Sequence, residues 1–235
     1  MTRLALGLPS KGRLQSDTID WFADRGIEIR RDGGAREYSA IADGFDGLDV
    51  VMLSAGEIPR ELAAGRIHLG VTGEDLIRER LPEHERQIRF AAALGFGHAD
   101  LVIAVPACWI DVISMHDLDE VADQIRQRHG HGLRIATKYH NLVRAFFRRH
   151  GIADYRLVDS QGATEAAPKN LAADAIADIT SSGETLRANH LKMLQDGLIL
   201  QSQAMLCVSL NADWGLQGEH ALAELEAHLG LVSGP

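Results

Sequence analysis

Residues 174–185, with the sequence DAIADITSSGET, combine carboxylates, hydroxyls and one glycine in a short stretch. The segment 175–179 is apolar and of strand length, and an apolar helical pattern starts at Leu186. A loop between a strand and a helix favours an anion, because the first N–H groups of a helix lack partners and its dipole is positive there. Gly183 also permits a backbone angle that a residue with Cβ resists. The candidate anion-binding residues are Thr180, Ser181, Ser182, Gly183, Glu184 and Thr185.

Two carboxylates, Asp174 and Asp178, precede this loop. They lie four residues apart on the predicted strand, so side-chain alternation places both on one face. Carboxylates accept hydrogen bonds from sugar hydroxyls, and acids beside phosphate donors therefore indicate a phosphorylated ribose. The simpler interpretation is a helix N-cap formed by Thr180 or Ser182, which spacing alone favours by about two to one.

Two further strand–loop–helix joints carry charged residues. Lys11 and Arg13 follow the predicted strand 4–8, where they indicate either an anion site or a basic surface loop. Gly73 and Asp75 lie where the predicted strand 67–71 passes into a helix, and acids there suit the positive pole of that helix.

Predicted strands and helices alternate along nearly the whole chain, which indicates an α/β fold with mainly parallel sheets. Residues 30–48 are polar and glycine-rich and predict a loop or an edge hairpin. The helix predicted after residues 180–185 is expected to present Leu186, Leu191, Met193 and Leu194 on one face.

Composition narrows the class of protein. The net charge of −9 argues against a nucleic-acid-binding surface, which would need a basic face. There is no apolar run of about 18 residues and no signal-peptide pattern, so we expect no membrane span and a cytoplasmic location. Cys108 and Cys207 lie in apolar runs and are interpreted as buried thiols of a reducing compartment.

The eleven histidines do not predict a metal site. His129 and His131 form the closest pair, but neither cysteines nor carboxylates stand in register with them, and exposed loop histidines are the better interpretation. We therefore assign no metal ligand within the chain.

Five separated motifs resemble those of the ATP phosphoribosyltransferases, the first enzymes of histidine biosynthesis. EAAP at 165–168, LAADAIAD at 171–178 and SGETLRAN at 182–189 resemble the loop of that family that binds phosphoribosyl pyrophosphate. The others are PSKGRL at 9–14, GRIHLGVTGED at 65–75, ATKYHNL at 136–142 and QGATE at 161–165. One departure is SAGEIP at 54–59, where the family has R-x-x-D-I-P, so Ser54 replaces an arginine and Arg60 is a candidate substitute.

The resemblance implies two α/β lobes of the periplasmic-binding-protein type II kind, with the active site in the cleft between them. Residues 1–95 and 200–235 would form lobe I, and residues 96–199 would form lobe II with the phosphoribosyl loop. The implied reaction condenses ATP with 5-phosphoribosyl pyrophosphate to N1-(5-phosphoribosyl)-ATP and pyrophosphate.

The same resemblance implies roles for individual residues. Lys11, Arg13 and Arg36 would be catalytic cations near the phosphates, with Mg²⁺ bound mainly through the substrate. The residues implied to bind substrate are Gly73, Asp75, Glu165, Asp174, Asp178, Thr180, Ser181, Ser182, Gly183, Glu184 and Thr185.

Two other functions stay open at this point. Two-lobed folds of this kind also serve as pure ligand-binding proteins, although the absent export signal and the phosphoribosyl-like loop oppose that function. A phosphoribosyltransferase with a different acceptor base is the other alternative.

The resemblance is to the short form of the family, because only a few residues follow the predicted helix that ends near Leu229. The expected partner is a regulatory subunit similar to histidyl-tRNA synthetase, in a hetero-oligomer built on catalytic homodimers. No nucleic acid or membrane partner is expected.

Overall fold

The computed structural model describes residues 3–31, 39–160 and 162–231 of the chain. Contacts divide the chain into two compact units. Unit 1 comprises Met1–Gly97 and Gln203–Pro235, and unit 2 comprises His98–Ser202. Each unit is built on one sheet with helices beside it. The division into a lobe I of residues 1–95 and 200–235 and a lobe II of residues 96–199, with an active site in the cleft, stays a prediction.

In chain order, the strands of the described residues are β1 (Leu4–Pro9), β2 (Glu28–Arg31), β3 (Ser39–Asp43), β4 (Leu48–Leu53), β5 (Leu69–Gly73), β6 (Ile88–Ala93), β7 (Ala99–Pro106), β8 (Leu133–Thr137), β9 (Tyr155–Asp159), β10 (Ala175–Thr180), β11 (Leu191–Ser202) and β12 (Ala204–Ser209). The helices are α1 (Arg13–Ala23), α2 (Ile58–Ala63), α3 (Glu74–Arg80), α4 (Met115–His129), α5 (His140–Arg149), α6 (Glu184–Ala188) and α7 (Gly215–His228).

The sheet of unit 1 has the strand order β2-β3-β4-β1-β5-β12-β6. Its centre is parallel, since β1 pairs in parallel with β4 and β5, and its outer pairs are antiparallel. Alternate side chains of β1 enter different cores. Leu4, Leu6 and Leu8 join a buried cluster with Phe22 of α1, whereas Ala5 packs against a cluster that contains Ile58 of α2. Helices therefore cover both faces of this sheet.

The sheet of unit 2 has the order β11-β7-β10-β8-β9. β8 is parallel to both β9 and β10, whereas β7 is antiparallel to β10 and β11. Phe146 and Phe147 of α5 belong to the buried cluster on one face, and Leu186 of α6 belongs to the cluster on the other. The region predicted as a loop or edge hairpin in unit 1 contains β2 and β3 at the sheet edge, and its residues 32–38 lie outside the described part of the chain.

The expected α/β class is confirmed, but the sheets are mixed and not mainly parallel. The reason is that crossover helices connect only the central strands, while β6, β7, β11 and β12 pair with antiparallel neighbours. No helix in the described residues is long and apolar enough to cross a membrane.

The predicted helix over Leu186–Leu194 is also wrong, because α6 ends at Ala188 and β11 begins at Leu191. Leu191 and Leu194 are both buried, but in the clusters on opposite faces of the sheet. The pairing of β11 with β7 is irregular between Met193 and Leu198, so its apolar residues do not alternate regularly. An interrupted alternation of this kind resembles a helical pattern in the sequence.

The two cysteines differ in their surroundings. Cys207 is buried, and burial raises the pKa of its thiol, so it is an unreactive core residue. Cys108 is exposed, so the prediction that both thiols are buried was wrong for this residue. It lies just after β7, where the apolar run ends.

Candidate active site

Three parallel strands of unit 2 bring their carboxyl ends to one edge of the sheet. β8 ends at Thr137, which aligns with Asp159 at the end of β9, and β10 ends at Thr180. The segments after these strands contain Lys138, the 3-10 turn Thr164–Ala166 and the loop before α6. The carboxyl edge is where α/β sheets of this type bind ligands.

The loop between β10 and α6 is shaped by one glycine and by its own hydroxyls. Gly183 has φ of 71°, in the left-handed region. Its N–H donates to Thr180 Oγ1 at 2.9 Å, and the N–H of Glu184 donates to Ser182 Oγ at 3.3 Å. Ser181 and Thr185 are exposed. Because α6 has only five residues, a strong helix dipole cannot be the main source of anion affinity here.

Arg187 supplies a positive charge to this loop. Its Nη2 donates to the carbonyl oxygen of Ser182 at 3.1 Å. A Cβ placed on Gly183 would lie 2.9 Å from its Nη1, so the guanidinium lies directly beside the glycine. The sequence prediction gave Arg187 no role, although it belongs to the SGETLRAN motif and lies four residues after Gly183. That spacing is the signal that could have found it.

Asp178 is the acidic group next to the loop. Burial raises the pKa of its carboxyl, and the charge of Glu165 acts in the same direction. The hydrogen bond from the Ile179 N–H, at 2.9 Å, and the charge of Lys138 only partly offset that increase. A half-buried carboxylate with a raised pKa at a sheet edge is a typical feature of a functional site.

The 3-10 turn places Glu165 near Asp178. Both residues were predicted to bind substrate, and a common site needs them close together. Thr164 is buried and its side chain hydrogen-bonds Asp178, while its Oγ1 lies 2.8 Å from Ser160 Oγ. Lys138 donates from Nζ to the carbonyl oxygen of Gly162 at 2.8 Å. Thr164 and Lys138 are therefore further site residues that the prediction missed. Lys138 belongs to the ATKYHNL motif, which could have identified it.

Asp174 does not belong with these residues, and its predicted contact with the ribose is not supported. It precedes β10, at the opposite edge of the sheet from Thr180. Arg134 binds its carboxylate through Nη2 at 2.7 Å, Nε at 3.1 Å and the backbone N–H at 2.8 Å. Burial opposes ionisation, but these contacts outweigh it, and the pKa of Asp174 lies below its usual value. Alternation placed both aspartates on one face, but four residues of strand separate them by about 13 Å.

Unit 1 has an equivalent edge at the carboxyl ends of β1, β4 and β5. Pro9 aligns with Leu53, and β5 lies on the other side of β1. Lys11 is exposed after β1 and Arg13 begins α1, and no hydrogen bond or ion pair engages either side chain within the described part of the chain. Two cations that no described residue engages are thus available for a phosphate at this edge.

Gly73 and Asp75 form the joint between β5 and α3. Asp75 is buried, and a Cβ on Gly73 would collide with its Oδ1. Glycine at this position therefore lets the aspartate fold back over the start of the helix. The structure places both residues at the same sheet edge as Lys11 and Arg13, as predicted from their strand–loop–helix setting.

The segment after β4 replaces the family's arginine with an internally bonded turn. The Ser54 N–H donates to Glu57 Oε2 at 3.0 Å, and hydrogen bonds from Ser54 lower the pKa of Glu57. Arg60 lines a cavity of about 500 Å³ together with Ser54, Glu57 and Arg80. Its side chain remains exposed and touches Glu61 only at 3.4 Å. The predicted Arg36 lies outside the described residues.

The described residues contain no group of three or more histidine, cysteine or acidic side chains able to hold a metal ion. A divalent ion at either sheet edge would therefore take most of its ligands from a phosphorylated substrate and from water. The lysine, arginine and hydroxyl groups described above fit such a substrate-carried ion, because they bind phosphate oxygens and leave other oxygens to the metal.

Comparison with solved structures defines the fold class. The fold is similar to that of the ATP phosphoribosyl transferase (HisG:HisZ) complex from Thermotoga maritima, with a TM-score of 0.71, 21% sequence identity, and coverage of 97% of this chain and 96% of that chain. It is also similar to the alkanesulfonate-binding protein SsuA from Xanthomonas axonopodis pv. citri, with a TM-score of 0.52, 15% identity, and coverage of 97% and 72%. The chain thus has the periplasmic-binding-protein type II-like α/β fold that was expected.

Sequence comparison then gives the family. The family model described as HisG: ATP phosphoribosyltransferase matches residues 54–229. A relative from Cereibacter sphaeroides, named ATP phosphoribosyltransferase, is 61% identical over 228 residues, which cover 97% of this chain and 96% of the relative. This chain belongs to the ATP phosphoribosyltransferase family, the enzymes of the first step of histidine biosynthesis. Reactions of this family require a divalent metal ion.

We expect Asp174→Asn to destabilise the fold without affecting turnover per folded molecule. The exchange weakens three contacts to Arg134, and hydrogen bonds to charged groups contribute about 1.5–3 kcal/mol. Because the folded pKa of Asp174 is lowered, this stabilisation is complete above the unfolded pKa of about 3.9 and is lost as the pH falls through the folded pKa. Urea unfolding at several pH values measures it. Equal stability of the two proteins at neutral pH would contradict this structural role.

Proposed function

We propose that the chain transfers the 5-phosphoribosyl group of phosphoribosyl pyrophosphate to N1 of the adenine of ATP, giving N1-(5-phosphoribosyl)-ATP and pyrophosphate. The observation that carries this proposal is the carboxyl edge of unit 2. There a hydroxyl-rich loop, the guanidinium of Arg187 and the half-buried Asp178 lie together in a member of this family.

The reaction exchanges two bonds at C1 of the ribose. The bond from C1 to the pyrophosphate oxygen breaks as the bond from C1 to adenine N1 forms, and positive charge develops on C1 and the ring oxygen. The protein therefore has to hold two substrates in line, accept the ribose hydroxyls and stabilise the departing negative charge. It need not supply a covalent nucleophile.

Thr180–Thr185 would anchor the 5-phosphate. Backbone N–H groups, the hydroxyls of Thr180, Ser181, Ser182 and Thr185, and the guanidinium of Arg187 supply donors for its oxygens. The N–H of Gly183 is engaged by Thr180. Phosphate binding would thus exchange an internal hydrogen bond for a charge-assisted one, which is the stronger of the two.

Asp178 and Glu165 would accept the ribose hydroxyls. Both lie at the carboxyl edge, and the charge of Glu165 adds to the cost of ionising Asp178 when no ligand donor is present. Two hydroxyl donors at this position would relieve that cost. Asp174 is replaced in this role by Glu165, because Arg134 already binds it at the other edge.

Lys11, Arg13 and Arg36 would neutralise the phosphates of the substrates, and Gly73 and Asp75 would lie near the nucleotide. The support for Lys11 and Arg13 is their exposure at the carboxyl edge of unit 1. We take the divalent ion to be Mg²⁺, which prefers phosphate oxygens and water. When bound, the ion would neutralise part of the pyrophosphate charge.

We expect Gly183→Val to abolish binding of phosphoribosyl pyrophosphate while the protein stays folded. A valine resists the left-handed backbone at φ of 71°, and its side chain would displace Arg187 from the loop. Gly130→Val is the matched control, since Gly130 has φ of 72° at the end of α4 with open space around it. Calorimetry should show lost affinity only in the loop variant. Unchanged affinity in folded Gly183→Val would refute the loop assignment.

Asp178→Asn should reduce turnover by about ten- to a hundredfold, because an amide is a weaker acceptor than a carboxylate, by about 1.5–3 kcal/mol. The same variant should be no less stable than the wild type at neutral pH. The raised folded pKa of Asp178 means that its ionised form destabilises the fold above the unfolded pKa, a difference that vanishes at lower pH.

Steady-state kinetics and urea unfolding test the two halves of this prediction. Asp174→Asn is the control, since we expect it to lose stability and keep turnover. A turnover near that of the wild type would return Asp178 to a purely structural role.

We also propose that regulation resides on a separate subunit similar to histidyl-tRNA synthetase, within a hetero-oligomer built on catalytic dimers. The support is the likeness in fold to a chain from a HisG:HisZ complex. The purified chain should then bind both substrates but not histidine in calorimetry. Tight histidine binding by the chain alone would contradict a separate regulatory subunit.

A further inference from the structure

A cavity lined by two arginines lies on unit 2, away from the loop that precedes α6. It has a volume of about 340 Å³ and is lined by Arg144, Arg148, Gly151, Ile152, Ala153 and Tyr155. α5 connects the parallel strands β8 and β9, so it runs back from the carboxyl edge of the sheet. The cavity, at the end of α5 and the start of β9, therefore lies at the opposite edge from Thr180.

Arg144 and Arg148 form an exposed positive pair on α5. α5 buries Val143, Phe146 and Phe147, which leaves Arg144 and Arg148 on the exposed side, one helical turn apart. Like charges at this spacing repel each other. No ion pair or hydrogen bond engages either guanidinium within the described ranges of the chain.

The acidic side chain within the lining segment 144–155 is already engaged. Asp154, between Ala153 and Tyr155, binds Arg126 at 3.1 Å. The last carbonyl groups of α5 accept hydrogen bonds from the N–H groups of His150, Gly151 and Ile152. A favourable interaction with the carboxyl end of the helix explains Arg148 in its last turn, but it does not explain Arg144 one turn earlier.

We propose that this cavity binds a phosphate-bearing small molecule through two adjacent oxyanion groups, as in a diphosphate. Each guanidinium can bind one phosphoryl group in a bidentate manner, and residues one turn apart have the spacing for two linked groups. Tyr155 also lines the cavity, with its ring packed against Phe147 at a centroid distance of 4.5 Å, and its hydroxyl would be a third donor. The volume suits a small ligand and not a folded partner.

Inorganic pyrophosphate is the probe, and equilibrium dialysis counts its sites on the intact chain. We expect two sites in the wild type. The double variant Arg144→Gln/Arg148→Gln should lose one of them, with affinity at least about tenfold weaker, since charge-assisted contacts dominate binding. The matched control Arg3→Gln/Arg86→Gln removes the same charge from two exposed arginines that pair with Asp49 and Glu83. It should retain both sites.

Lys11→Gln/Arg13→Gln separates this site from the proposed active site, since it should lose the pyrophosphate site at the carboxyl edge of unit 1 and keep the arginine site. Adding ADP in place of pyrophosphate shows whether a nucleotide's diphosphate or only the free anion is accepted. One site in the wild type, or unchanged binding in the arginine variant, would overturn the proposal. Binding of poly-glutamate without binding of pyrophosphate would overturn it too, because the arginines would then form a docking surface for an acidic protein. Normal binding of phosphoribosyl pyrophosphate by Gly183→Val would refute the assignment of the loop to the 5-phosphate and would leave the arginine site unaffected.

Discussion

Both units depend on the shared direction of three parallel strands. β1, β4 and β5 in unit 1, and β8, β9 and β10 in unit 2, end at one edge of their sheets because crossover connections return each chain to the same starting side. Residues far apart in sequence, such as Lys11 and Asp75, or Lys138 and Asp178, are thereby brought to a common edge. The antiparallel strands extend the sheets, and among the described residues they bring no predicted site residue to these edges.

At two of these sheet edges, a glycine determines the local shape of the loop. At the loop before α6, a left-handed glycine turns the chain and two hydroxyls accept the N–H groups that the turn exposes. At the joint between β5 and α3, the missing Cβ of Gly73 makes room for the folded-back side chain of Asp75. In both cases glycine is required by a neighbour that approaches closely, and the neighbour is a polar group suited to a substrate.

The sequence predicted the loop from Thr180 to Thr185, the carboxyl-edge positions of Lys11 and Arg13, and the α/β class, because these follow from local spacing and strand–helix alternation. It could not predict that Arg134 binds Asp174, since that contact depends on the register of β8 with β10. The strand β11 was mistaken for a helix for a related reason. Its irregular apolar pattern is explained only by burial on both faces beside β7.

Asp174, just before β10, and Asp178, within it, show how stability and the proposed function separate along one strand. Asp174 is bound by a guanidinium and a backbone N–H, and those contacts lower its pKa, so its charge stabilises the folded chain. Asp178 is half-buried beside a second carboxylate and accepts too few hydrogen bonds to offset burial, so its pKa rises. A carboxylate with few hydrogen-bond donors lowers the stability of the folded chain. In the proposed reaction, the hydroxyl groups of the ribose would supply those donors. The strand therefore has its structural acid at one end and its proposed ligand-binding acid at the other, where the parallel strands end.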